Sequence, residues 1–160
     1  MFATLSRTWT AVLFDIEGTL LDTTPGAPVA VVPGIEGVLQ SLTEQGIPLA
    51  IATIKSKDDA LELLEQSNLR QYFSVISASE DERADKDAIV SHALTELEAS
   101  GADLSMPVLV GDRIHDVEGA SANGIPSIIV EWGHGGPDEA GDAIATVYST
   151  DKLRELLLGN

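Results

Sequence analysis

The chain has no cysteine. Disulfides, thiolate catalysis and zinc–thiolate sites are therefore excluded. Cations are scarce as well: 9 Lys and Arg stand against 26 Asp and Glu, a formal net charge of -17. Non-specific nucleic-acid binding needs a basic face, so this balance argues against a nucleic-acid partner. The acidity bears on solubility, and fits a salt-adapted or acidic proteome, more than it bears on chemistry. No apolar run approaches the roughly 20 residues of a membrane-spanning helix. The N-terminus has no long apolar core after Arg7, so no signal peptide is expected. The expected location is the cytoplasm, with no membrane partner. Internal repeats, low-complexity tracts and long linkers are also missing. At 160 residues the chain is expected to form one domain, 1–160, with a full hydrophobic core.

What the chain does have is alternation. Residues 11–14, 48–53, 73–77, 107–111 and 126–130 read as short apolar strands, with helix-like stretches at 35–45, 58–67, 86–100 and 115–124 between them. In the third helix Ile89, Val90, Ala93, Leu94 and Leu97 recur at helical spacing. A sixth strand at 143–149 and a last helix at 151–159, N-capped by Thr150, close the chain. Residues 78–85 read as an acidic surface loop. The fold class is thus α/β, a doubly wound parallel sheet with helices on both faces. Ligands of such sheets sit beyond the carboxyl ends of the strands, near the point where strand order reverses.

Those strand ends carry the chemistry. The first strand runs into Asp15-Ile16-Glu17-Gly18-Thr19. Two acids at this spacing on an extended backbone point to one side, where they can bind a cation, attack an electrophile or trade protons. An acidic turn that merely solvates a strand end is the plain alternative. The second strand ends at Thr53, which could equally cap the next helix, followed by Ile54 and Lys55. Lys86 opens a helix, where a solvated lysine is the ordinary outcome. The fourth strand ends in Gly111-Asp112, with Asp116 one helical turn later. His115 is expected as a solvated helix residue and His92 as ordinary surface. Residues 132–136 form a Gly-rich loop that would reach the same rim. Three histidines so scattered suggest no metal cluster.

Asp15-Ile16-Glu17-Gly18-Thr19, Thr53, Lys86 and Gly111-Asp112 with Asp116 resemble the four ordered motifs of the haloacid dehalogenase-like superfamily. The likeness extends over nearly the whole chain, and residues 32–53 and 108–130 look most like its phosphoglycolate-phosphatase-like branch. The resemblance implies a Rossmann-like core and a Mg²⁺-dependent phosphatase acting on a phosphorylated small molecule or macromolecule. Asp15 would be the nucleophile that forms an aspartyl-phosphate, and Glu17 the general acid and base. Asp15, the Glu17 backbone carbonyl and Asp112 would hold Mg²⁺, with Asp116 coordinating or one layer out. Thr53 and the Ile54 backbone N–H would bind phosphoryl oxygens, and Lys86 would offset the charge shared by Asp15 and the phosphoryl group.

Two departures qualify that expectation. Position 17 is Glu where most phosphatases of the superfamily have Asp, although the enolase-phosphatases of methionine salvage also read D-I-E-G-T. Ile54 stands where Asn or Ser is commoner. The helical cap usual between the first two motifs is replaced by a short flap at about 20–33, so the core is expected to be capless and open. An open site suits a bulky substrate, a neighbouring subunit acting as lid, or weak promiscuous turnover. Val29, Val31 and Val32 on the flap would be exposed, favouring a homo-oligomer. The alternative function is a catalytically impaired domain that binds phosphorylated ligands or a protein partner without turnover. A response-regulator-type phospho-acceptor fits less well, since its acceptor Asp lies on a later strand than its acid pair.

Overall fold

The computed structural model describes residues 9–79, 85–133 and 135–159. His134 and most of the acidic loop at 78–85 lie outside the described residues. The strands are β1 (Ala11–Phe14), β2 (Leu21–Asp22), β3 (Ala30–Val31), β4 (Leu49–Ser56), β5 (Val75–Ser79), β6 (Pro107–Gly111), β7 (Ser127–Val130) and β8 (Ala145–Val147). The helices are α1 (Ile35–Glu44), α2 (Lys57–Gln66), α3 (Lys86–Ala99), α4 (Ile114–Ala122) and α5 (Thr150–Leu158). Six strands form one parallel sheet in the order β5-β4-β1-β6-β7-β8. Chain order reverses between β1 and β6, which places the ligand crevice at their carboxyl ends.

Side chains alternate across this sheet and sort the helices into two layers. Val12, Phe14, Leu49, Ile51, Val108 and Val110 share one core with Ile35 and Leu39 of α1, Leu64 of α2, and Leu153 and Leu157 of α5. Ala11, Leu13, Ala50, Ala52 and Leu109 share the other with Ile89, Val90, Ala93 and Leu97 of α3 and Ala120 of α4. The alternation that turns Leu13 toward α3 also sends Asp15, two residues on, to the α3 side.

Local chemistry revises three expectations. α5 is capped by Ser149, whose hydroxyl accepts from the Lys152 N–H at 3.2 Å, while Thr150 is already the first helical residue. β4 does not end at Thr53 but continues to Ser56, and it is the Ser56 hydroxyl, accepting from the Asp59 N–H, that caps α2. Between the first motif and α1 lies a hairpin of β2 and β3, paired antiparallel at Leu21–Val31 and Asp22–Ala30, with no cap domain. Of the three flap valines only Val29 is exposed. Val31 is half-buried, and Val32 sits in the core, its N–H donating to the Leu20 carbonyl at 2.9 Å. Among the described residues, no helix is long and apolar enough to cross a membrane.

Candidate active site

Asp15 follows β1 directly and is nearly buried; its Oδ1 accepts from the Ile16 N–H at 2.8 Å. From the α3 side Lys86 reaches it. Asp85 caps that helix by accepting from the Ala88 N–H, so Lys86 is the first helical residue and its side chain runs back along the sheet. The Lys86 stem passes so close to α4 that a Cβ at Gly119 would lie 2.7 Å from its Cγ. Its Nζ donates to the Ala52 carbonyl at 2.6 Å and lies 2.6 Å from Asp116 Oδ1 and 3.4 Å from Asp15 Oδ2. An ammonium has three N–H donors, and three acceptors surround this one.

Asp116 is fully buried in the first turn of α4. Its Oδ2 accepts from the backbone N–H groups of Asp112 and Arg113, each at 3.1 Å. The same acid therefore caps its helix, closes the loop after β6 and pairs with Lys86. Asp112, also buried, stands at the end of β6 beside β1. Gly133 presses against it: a Cβ there would lie 2.5 Å from Asp112 Oδ2 and 2.3 Å from the Gly18 carbonyl oxygen. Trp132 fixes that loop by donating from Nε1 to the Thr19 carbonyl at 3.1 Å.

Two buried carboxyls, Asp15 and Asp116, thus share one buried cation, and their proton affinities diverge. Burial raises the Asp15 carboxyl to about 7; Lys86 opposes the rise and the Asp116 charge adds to it. Burial would also raise Asp116, but the Lys86 ammonium, His115 and the Arg113 N–H together bring it below the usual carboxylate range. Lys86 is raised, because Asp15 and Asp116 outweigh the cost of its burial. The surplus of buried negative charge, built from hard carboxylate oxygens, fits a hard divalent cation such as Mg²⁺.

The sequence-derived candidates separate into two groups. Asp15, Lys86 and Asp116 meet in one cluster, with Asp112 at its edge. His115 joins them, contrary to its expected solvated position: it is half-buried, and a ring nitrogen lies within 4.8 Å of carboxylate oxygens of Asp15 and Asp116. Thr53 is buried on β4, and its Oγ1 accepts from the Lys55 N–H at 3.2 Å instead of capping a helix. Ile54 turns its side chain outward, 52% exposed. Glu17 stands at the rim, its Oε2 3.0 Å from Lys55 Nζ.

One contributor gave no signal in the sequence. Glu139 Oε1 accepts from Arg113 Nε at 2.8 Å and from the Ile114 N–H at 3.0 Å, while Oε2 accepts from the Gly136 N–H at 3.1 Å. It ties the loop after β7 to the start of α4, and those bonds, the Arg113 one foremost, lower its carboxyl to about 2. A lone acid so far from any motif reads as surface. Beside the acids, Gly18, Leu21, Asp22, Thr24, Val32, Pro33, Trp132 and Gly133 line a cavity of about 190 Å³. A larger hollow of about 740 Å³ lies at the amino ends of β1 and β4, among Trp9, Thr10, Pro48 and Ser74. It is at the wrong end of the sheet for the clustered acids.

Comparison with known proteins identifies the family and the fold. The family model for haloacid dehalogenase-like hydrolases matches residues 27–130. The tyrosine-protein kinase PtkA of Mycobacterium tuberculosis is 37% identical over 130 residues, covering 78% of this chain and 44% of that protein. A phosphoglycolate phosphatase of Cupriavidus necator is 37% identical over 139 residues, covering 84% of this chain and 58% of that protein. The chain thus spans about half the length of the curated relatives it matches. A crystal structure from Clostridium difficile superposes with a TM-score of 0.84 at 20% identity, over 95% of this chain and 100% of that one, a likeness of fold. Matched by that family model over most of its length and by relatives at 37% identity, the chain belongs to the haloacid dehalogenase-like hydrolases.

Proposed function

We propose that the chain is a Mg²⁺-dependent phosphatase that hydrolyses a phosphate monoester through an aspartyl-phosphate. The observation that carries this reading is the buried Asp15–Lys86–Asp116 cluster at the point where strand order reverses. Asp15 is the nucleophile: a carboxylate oxygen attacks phosphorus, the bond to the leaving oxygen breaks, and the phosphoryl group rests on Asp15 until water removes it. Lys86 is already fixed against Asp15, so it offsets the accumulating negative charge without reorganising. Thr53 and the Ile54 N–H receive phosphoryl oxygens. Glu17 gives a proton to the leaving oxygen and then takes one from the attacking water.

Asp15, the Glu17 carbonyl and Asp112 would hold the metal. Asp116, whose oxygens are engaged by Lys86 and two backbone N–H groups, would steady the site from behind. Mg²⁺ bound there supplies a positive charge that lets an anionic nucleophile approach an anionic phosphate. The 190 Å³ cavity between the flap and Trp132 suits a small leaving group, while the missing cap admits a phosphorylated macromolecule.

The test is hydrolysis of an aryl phosphate with Mg²⁺ and with chelator, beside Asp15→Asn. Metal-dependent turnover, reduced at least about 10³-fold by Asp15→Asn, is expected. Turnover that survives the substitution overturns the mechanism. Silence toward a panel of phosphorylated metabolites favours the impaired, ligand-binding alternative. The 37% identity to a tyrosine-protein kinase supports a second reading, in which the phosphoryl group passes to a hydroxyl acceptor rather than to water. Incorporation of label from ATP into protein would distinguish it.

A further inference from the structure

Glutamate at position 17 is held by a partner that the four motifs do not include. β4 continues past Thr53 through Ile54 and Lys55, and its pairing with β5 shifts register between Ala52 and Ser56. This irregular stretch brings Lys55 to the rim beside β1, the neighbouring strand, where Nζ lies 3.0 Å from Glu17 Oε2. Both backbones are anchored. The Lys55 N–H donates to Thr53 Oγ1, and the turn carrying Glu17 is closed by Gly18 N–H to the Leu21 carbonyl at 2.8 Å and Leu20 N–H to the Ile16 carbonyl at 2.9 Å. What remains free is the Glu17 side chain, longer than aspartate by one methylene and one torsion.

The other cations near these strand ends are engaged elsewhere. Lys57 Nζ donates to the Ile76 carbonyl, Lys86 is sunk among the acids, and Arg113 is bound to Glu139. The Lys55–Glu17 pair is half open to solvent, with side chains 25% and 41% exposed. A pair so placed adds little to stability, so its consequence is orientation. The geometry points to Lys55 as the positioning residue for Glu17: it holds the longer acid's carboxylate at the mouth of the site, so that glutamate performs the proton transfer for which aspartate is usual. The inference rests on the phosphatase reading and deepens it.

The test combines kinetics on phenyl phosphate with the side-chain ¹⁵N signal of Lys55. The proteins are the parent, Lys55→Met, Lys55→Arg, Glu17→Gln and the Lys55→Met/Glu17→Gln double variant. Lys55→Met is expected to lower kcat about tenfold with KM within about twofold, the loss for a misaligned rather than missing proton donor. Lys55→Arg should recover most of that rate. In the Glu17→Gln background, Lys55→Met should cost nothing further, because its effect passes through the acid. The Lys55 ammonium signal should shift on Glu17→Gln. An additive loss, a loss confined to KM, a gain in kcat, or a Lys55 signal indifferent to Glu17→Gln would each overturn the role. If the parent has no turnover while the Lys55 signal still answers Glu17→Gln, the phosphatase reading falls and the catalytic role of the pair falls with it, but the pair itself stands.

Discussion

The acid cluster beneath β1 and β6 and the rim above β4 treat charge in opposite ways. In the cluster, Asp15, Asp116 and Lys86 are withdrawn from water and their partners come from β1, β4, α3 and α4. At the rim, Glu17 and Lys55 are half-exposed and depend on each other, and Ile54 faces outward. A buried charge needs several fixed partners to be tolerated, and those partners make it rigid. A rim charge is solvated, so one partner suffices to orient it. Asp15 is therefore fixed by several partners at once, while Glu17 at the rim is oriented by Lys55 alone.

The largest effect is expected from Lys86→Met, which leaves Asp15 and Asp116 buried without their cation. It should cost about 3–5 kcal/mol of stability, read by denaturant unfolding, and remove activity. A small loss would mean that Lys86 does not hold the cluster together. Next comes a pH effect. Asp15 is raised from 3.8 to about 7, so the folded metal-free protein binds more protons than the unfolded chain between those values. Through this group, stability falls as pH rises across that window. Mg²⁺ favours the ionised carboxylate, so its upward shift of Tm should be larger at pH 8 than at pH 5. Equal shifts would place the cation away from Asp15. The smallest effect belongs to the rim: Ile54→Ala, at a 52% exposed side chain, should change unfolding free energy by no more than about 0.5 kcal/mol.

Much of this was legible in the chain. The short, wholly apolar runs of β1 and β6 and the helical spacing of Ile89, Val90, Ala93 and Leu97 follow from burial on regular backbones, which is a local pattern. The clustering of Asp15, Lys86 and Asp116 could be anticipated because a parallel sheet collects its strand ends on one edge. Less legible were the ends of elements. Thr53 and Thr150 both look like caps, yet Ser56 and Ser149 take that role, because capping depends on which hydroxyl the extended residue before the helix presents. The flap valines read alike in sequence and part ways in the fold, with Val32 drawn into the core by its bond to Leu20.

The sequence by itself determined the parallel α/β core, the order of the acids, lysine and threonine along it, and the absence of a cap between the first two motifs, since each is a matter of periodicity, spacing or length. Only the tertiary structure decided that Glu139 braces the loop after β7, that Gly133 seats against Asp112, that His115 turns toward the acids and that Lys55 takes hold of Glu17. These contacts join residues through backbone approach and side-chain reach between elements, and no pattern along a single strand or helix encodes the distance between two of them.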